Sequence, residues 1–270
     1  METGMKIAYV GIDLLYGALE CLKNNNCEIL KIFTCKTNNV TEFNTKIIEF
    51  AKTNEVPYTL ERITIKDIEE MLDKGCDALI CGAYYYRIPT NHSLAMVNIH
   101  PSLLPVGRGS WPMPLIILNG HKQGGVTMHK MVEAFDEGDI ISQQSFEISK
   151  QETLQTYMDK VDERLSDMIN DLISNFDNLY KNALPQGEGE YWEEPKKADA
   201  TIKSTDGFDK ADLILRAFFG YECYYTDGNK MYEILKGTAV KNKGNKKWYL
   251  PVNGGYVEAD SVKEVVENGD

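Results

Sequence analysis

The chain has 270 residues, enough for one large domain or a large and a small one. Its formal net charge of −12 excludes a generally basic surface for nucleic-acid phosphates, though not a local cationic pocket for a small anion. No apolar run reaches the roughly 20 residues a membrane-spanning helix needs. The six cysteines, Cys21, Cys27, Cys35, Cys76, Cys81 and Cys223, form no CxxC and fit no zinc spacing. The N-terminus carries no signal-peptide pattern, so the reading is reduced thiols in a cytoplasmic protein with no metal.

Met1 to Gly4 read as a loose tail. Lys6 to Val10 reads as a buried strand ended by Gly11, and a helix over 14–24 buries Leu15, Ala18, Leu19 and Leu22. Glu28 to Phe33 closes a βαβ opening. The G-x-G-x-x-G fingerprint is absent, which disfavours a dinucleotide-dependent oxidoreductase. A helix is predicted over 41–53, with Phe43, Ile47, Ile48 and Phe50 near its buried side. Pro57 to Leu60 is a short strand, and Ile65 to Lys74 a helix closed by Gly75. Ala78 to Cys81 is wholly apolar, as in a parallel sheet covered on both faces. This alternation predicts a doubly wound α/β domain.

Gly82 to Pro89 follows, with Tyr84, Tyr85 and Tyr86 in a row. Either the loop packs over the core, or it forms an aromatic wall beside a planar ligand. Met96 to Ile99 is the next strand, so Asn98 and His100 share a face, and Pro101 takes the chain out of the ladder behind them. A carboxamide and an imidazole are thereby held at a strand end, where open α/β sheets place ligands. Val106 to Ser110 is a loop with one cation, Arg108. A helix over 111–118 starts on prolines. Val126 to Val132 and Ile140 to Ile148 are strands around the acidic loop Glu133 to Asp139. Gln151 to Phe176 carries one long apolar stripe. Pro185 to Glu190 is turn-rich and marks a boundary between domains 1–184 and 185–270. Beyond it, a helix over 212–219 and hairpin signals at Asp227-Gly228-Asn229, Gly244-Asn245 and Asn253-Gly254-Gly255 predict a small β-rich domain.

An Asn, a His and an Asp at a sheet edge can carry acyl transfer without a covalent enzyme intermediate. The carboxamide donates to an oxyanion, the imidazole moves a proton, and a carboxylate supports its charged form. Ser102 sits in no nucleophile elbow, so a Ser102-His100-Asp136 triad is disfavoured. His92, His121 and His129 are scattered without ligand spacing.

Asn98-Ile99-His100 with Ser102-Leu103-Leu104-Pro105, then Gly125-Val126-Thr127, then Phe135-Asp136-Glu137-Gly138-Asp139-Ile140, resembles the folate-dependent formyltransferases over about residues 5–180. The resemblance implies a Rossmann-like catalytic domain with a mostly parallel sheet, plus a small β-rich C-terminal domain. It implies N10-formyltetrahydrofolate as co-substrate and Asn98, protonated His100 and Asp136 as the catalytic trio. The folate would lie among Tyr85, Tyr86, Arg87, Ile88, Met96, Met131, Val132 and Gly138. Ser102 and Arg108 are the acceptor-side candidates, Arg108 for a phosphate or else as a solvated cation.

Gly82 to Pro89 and Gly125 to Val132 look like the branch acting on nucleotide-linked (UDP- or dTDP-) amino sugars for surface glycans. The transfer-RNA branch carries a basic insertion where Thr34 to Val40 is short, and R-A-F-x-P-W-P where this chain has Arg216-Ala217-Phe218-Phe219-Gly220-Tyr221. The expected partner is therefore a nucleotide-linked amino sugar, not a nucleic acid or a membrane. Two alternatives stand beside it: methionyl-tRNA formyltransferase, and a folate- or nucleotide-binding module without catalysis. Tyr221, Tyr224 and Tyr225 would serve a homodimer contact or a packed sheet.

Overall fold

The computed structural model describes residues 4–265. Of the expected tail, residues 1–3 lie outside them, and Gly4 is packed against the backbone of Asn26, where a Cβ would stand 2.0 Å from the carbonyl oxygen. By its contacts the chain forms two compact units. One comprises Met1–Arg108, Gly125–Phe146 and Lys160–Tyr191, the other Gly109–Gly124, Glu147–Asp159 and Trp192–Asp270.

In chain order the first elements are β1 (Lys6–Gly11), a 3-10 turn (Asp13–Leu15), α1 (Tyr16–Asn24), β2 (Glu28–Phe33), α2 (Thr45–Thr53), β3 (Tyr58–Thr59), α3 (Ile65–Asp73), β4 (Ala78–Gly82) and β5 (Ala95–His100). Then come α4 (Pro112–Leu118), β6 (Gln123–Lys130), β7 (Ile140–Glu147), α5 (Leu154–Ser174) and α6 (Phe176–Lys181). The seven strands order as β3-β2-β1-β4-β5-β6-β7. The first five run parallel, and β6 pairs antiparallel with β5. This is the expected doubly wound α/β sheet with its mostly parallel core. β1 and β4 are buried almost throughout, as parallel strands covered on both faces must be.

The helix predicted from residue 41 begins later, at Thr45. The Asn38 carboxamide oxygen accepts the N–H groups of Val40, Thr41 and Glu42, which gives that stretch a local turn instead of a helix. Phe43 is consequently exposed. The long helix ends at Ser174, with a separate α6 behind it. α3 starts on a full capping box between Thr64 and Asp67, and Gly75 follows it at φ +74°.

The second unit adds β8 (Thr201–Lys203), α7 (Phe208–Ala217), β9 (Cys223–Thr226), β10 (Met231–Ile234), β11 (Gly237–Val240), β12 (Trp248–Val252), β13 (Gly255–Ala259) and β14 (Lys263–Val265). They form a four-stranded sheet, β14-β10-β9-β8, and a three-stranded one, β11-β13-β12. Two predicted hairpins form, β9–β10 and β12–β13. The third does not. β13 lies between β11 and β12 and is antiparallel to both, so the Gly244-Asn245 segment spans the width of a strand. The Trp111 ring meets Phe218 and Tyr221 at 5.7 and 5.0 Å, and Tyr225 is buried with its hydroxyl on the Pro251 carbonyl. Two of the three tyrosines are thus packed inside this unit. Among the described residues no helix is long and apolar enough to cross a membrane, and no cluster of three or more His, Cys, Asp or Glu could hold a metal ion. All six cysteines are free thiols.

Candidate active site

The end of β5 and its antiparallel neighbour β6 build the site. The register sets Asn98 opposite His129 and His100 opposite Thr127. Alternation along each strand therefore puts Asn98, His100, Thr127 and His129 on one face. The loop after β6 brings in Asp136, whose backbone takes φ +57°, a left-handed conformation that costs a non-glycine residue roughly 1–2 kcal/mol.

Three groups converge on one oxygen, Asp136 Oδ1. His100 Nδ1 stands 3.7 Å away, His129 Nε2 3.5 Å, and the Asn98 carboxamide nitrogen donates at 3.4 Å. The same nitrogen lies 3.1 Å from His129 Nε2. Backbone carbonyls fix both imidazoles, because a carbonyl can only accept. His100 Nε2 must carry a proton to reach Gly107 O at 2.7 Å, and His129 Nδ1 must carry one to reach Lys130 O at 2.8 Å. In their neutral forms, the two rings turn His100 Nδ1 and His129 Nε2 toward the carboxylate as lone pairs. Burial pushes the His100 pKa below the ordinary histidine value, and the negative charge of Asp136 works in the opposite direction.

The sequence reading passed over His129. The signal was available. Thr127 and His129 repeat, two apart on a strand, the Asn98 and His100 spacing, but only the strand pairing shows that they face the same way.

The acceptor-side candidates are engaged within the chain. The Ser102 hydroxyl is buried and donates to Val106 O at 2.7 Å, bracing the turn behind His100. Arg108 is only 8% exposed. Its Nε and Nη2 donate to Gln186 Oε1 at 3.1 and 3.0 Å, and its Nη groups also reach the carbonyls of Gly187 and Gly189. Glu137 stands 3.9 Å from Nη1. A guanidinium so committed to its own chain is not a solvated cation, and a phosphate would compete with these partners for it.

The folate-side candidates divide. Ile88 and Met96 are core residues, packed with Val10, Leu79, Cys81 and Leu94, and Met131 lies against that cluster. Ile88 and Met96 are buried there, and Met131 is partly exposed. Tyr85, Tyr86 and Val132 are exposed. Tyr85 bonds through its hydroxyl to Glu42, and Tyr86 meets Tyr84 edge-on beneath Arg62. Arg87 joins the two implicated segments, donating to Glu133 O and lying 5.4 Å from the exposed Phe135 ring. Gly138 is required for packing, since a Cβ there would stand 1.9 Å from Lys130 O.

The comparisons bear on this arrangement. A model of the family described as formyl transferase matches residues 27–173, more than half the chain and all of the site from Asn98 to Gly138. A protein named methionyl-tRNA formyltransferase from Streptococcus agalactiae serotype III (strain NEM316) is 29% identical over 216 residues, covering 74% of this chain and 67% of its own length. The crystal structure of HypX from Aquifex aeolicus in complex with tetrahydrofolic acid shares the fold at TM-score 0.74 and 16% identity. The match covers 97% of this chain, which spans less than half, 44%, of that one. An N-formyltransferase from Helicobacter canadensis, in complex with folinic acid and dTDP-3-aminofucose, matches at TM-score 0.63 and 17% identity over 96% of this chain and 99% of its own.

Proposed function

The chain belongs to the formyl transferase family, and from that premise we propose that it moves a formyl group from N10-formyltetrahydrofolate to an amine, with Asn98, His100 and Asp136 as the catalytic residues. The observation that carries the reading is the convergence of a carboxamide and two imidazoles on one oxygen of Asp136, within the residues the family model matches. The exposed Tyr86, Val132 and Phe135 beside Arg87 suit the flat face of a folate ring. When bound, the folate supplies the formyl carbon and leaves as tetrahydrofolate.

The residues of this chain do the rest. The Asn98 carboxamide keeps one hydrogen on His129 and exchanges its long contact with Asp136 for the formyl oxygen as charge develops there. Asp136 takes the proton released by the attacking amine, directly or through one water. His100 presents Nδ1 to the same carboxylate, so a proton reaching Asp136 can be shared with the imidazole and passed to the departing nitrogen. His129 accepts from Asn98 and so orients the carboxamide.

The acceptor we propose is a nucleotide-linked amino sugar, its product destined for a surface glycan. The net charge of −12 supports it, because a transfer-RNA acceptor calls for a basic surface. A second reading, methionyl-tRNA as acceptor, is favoured by the names of the curated relatives. An assay of tetrahydrofolate release, with UDP- and dTDP-amino sugars and methionyl-tRNA offered in parallel, tests both. Turnover with an amino sugar is the expected result. Turnover with methionyl-tRNA alone would replace the acceptor and keep the chemistry. Folate binding without turnover on any amine would remove the catalytic reading.

A further inference from the structure

The turn-rich segment behind α6 holds a half-buried carboxamide whose hydrogen-bonding capacity is fully used. Gln186 Nε2 donates one hydrogen to Asp136 O and one to Gly138 O, each at 2.7 Å. Its Oε1 accepts Nε and Nη2 of Arg108 at 3.1 and 3.0 Å. Four partners fix the amide orientation without ambiguity, since carbonyls only accept and guanidinium only donates.

The two sides of this amide are the two loops that hold the reacting groups. On one side the paired carbonyls bracket Glu137 and hold the chain where Asp136 has φ +57°. On the other, Arg108 directly follows Gly107, whose carbonyl fixes the proton of His100 on Nε2. Gly187 O and Gly189 O complete the hold on the guanidinium. At Gly189 a Cβ would stand 2.6 and 2.7 Å from Pro105 atoms, so the segment is pressed against the loop behind His100.

We propose that Gln186, acting through Arg108, is a positioning residue that sets the approach of the Asp136 carboxylate to His100. The inference rests on the formyl-transfer reading for its kinetic consequence, and not for its structural one. Asn is one methylene too short to reach both loops, and Met fills the volume of Gln without a hydrogen bond. The groups facing His100 are Asp136 from the loop after β6, His129 from β6 and the Gly107 carbonyl, with Cys81 of β4 beside Asp136. Of these, Asp136 is the largest influence favouring the charged imidazole. Releasing its loop changes both the charge that faces the imidazole and its burial, so the His100 titration midpoint moves.

The experiment uses the whole chain as wild type, Gln186→Met and Gln186→Asn. Thermal unfolding first establishes that each variant is folded at the assay temperature. The His100 ring signals, assigned with His100→Asn, are then titrated by NMR without substrate, and kcat and KM are measured by tetrahydrofolate release. We expect the His100 midpoint to shift from the wild-type value in both variants. We also expect kcat to fall on the order of 10- to 100-fold, with KM for folate changed less than about threefold. If folded variants keep the wild-type midpoint, the inference is overturned, whatever happens to the rate. If the midpoint moves but wild type turns over no amine, the functional reading fails and the positioning role of Gln186 stands.

Discussion

The Thr127 hydroxyl offers the most direct test of how the β5–β6 register supports the site. Buried beside the turn after His100, it donates to Ser102 O at 2.6 Å and accepts from Leu104 N at 3.2 Å and Gln143 Nε2 at 2.8 Å. Thr127→Val keeps the shape and removes the oxygen. Gln143 retains the Leu104 carbonyl at 2.9 Å and loses little. The Ser102 carbonyl and the Leu104 N–H each lose this partner in a buried turn, at a cost of about 1–3 kcal/mol apiece. With a total of about 3 kcal/mol, Tm should fall by roughly 6–12 °C for a chain of this size. Differential scanning calorimetry on wild type, Thr127→Val and Thr127→Ser reads this directly, the Ser variant keeping the hydroxyl and most of the stability. Activity should also drop, because the same turn presents the Gly107 carbonyl that fixes His100. A Val variant melting within about 2 °C of wild type would refute the account of this turn.

Two further outcomes follow from the site. Asn98→Ala removes the carboxamide proposed to serve the formyl oxygen, so kcat should fall about 10²–10³-fold with folate binding retained; an unchanged kcat would remove Asn98 from the catalytic residues. His100 binds protons less readily folded than unfolded. Its contribution to stability is complete above the ordinary histidine value near pH 6.5, declines as pH falls below it, and levels off below the folded value. Urea unfolding between pH 5 and 8 should show this decline in wild type, and a shallower one in His100→Asn.

The local rules of the chain settled a good deal of this architecture. Apolar runs of strand length between amphipathic helical stretches fixed β1, β2, β4 and β5 to within a residue or two, because burial on both faces of a parallel sheet demands such runs. The two-residue period of a strand put Asn98 and His100 on one face before any partner was known. Pairing and closure at long range were not legible. The Gly244-Asn245 segment reads as a hairpin turn, yet it joins two strands separated by a third, and nothing in a local turn signal specifies which strand pairs with which. His129 became part of the site through its cross-strand register with Asn98, 31 residues away. Ser102 and Arg108 looked available because a sequence shows the donors a residue carries and not the carbonyls that claim them. Gln186, within a stretch whose glycines and single proline mark it as a linker, lies 50 residues from Asp136 and still reaches its carbonyl. Chain folding alone brings those groups within hydrogen-bonding distance.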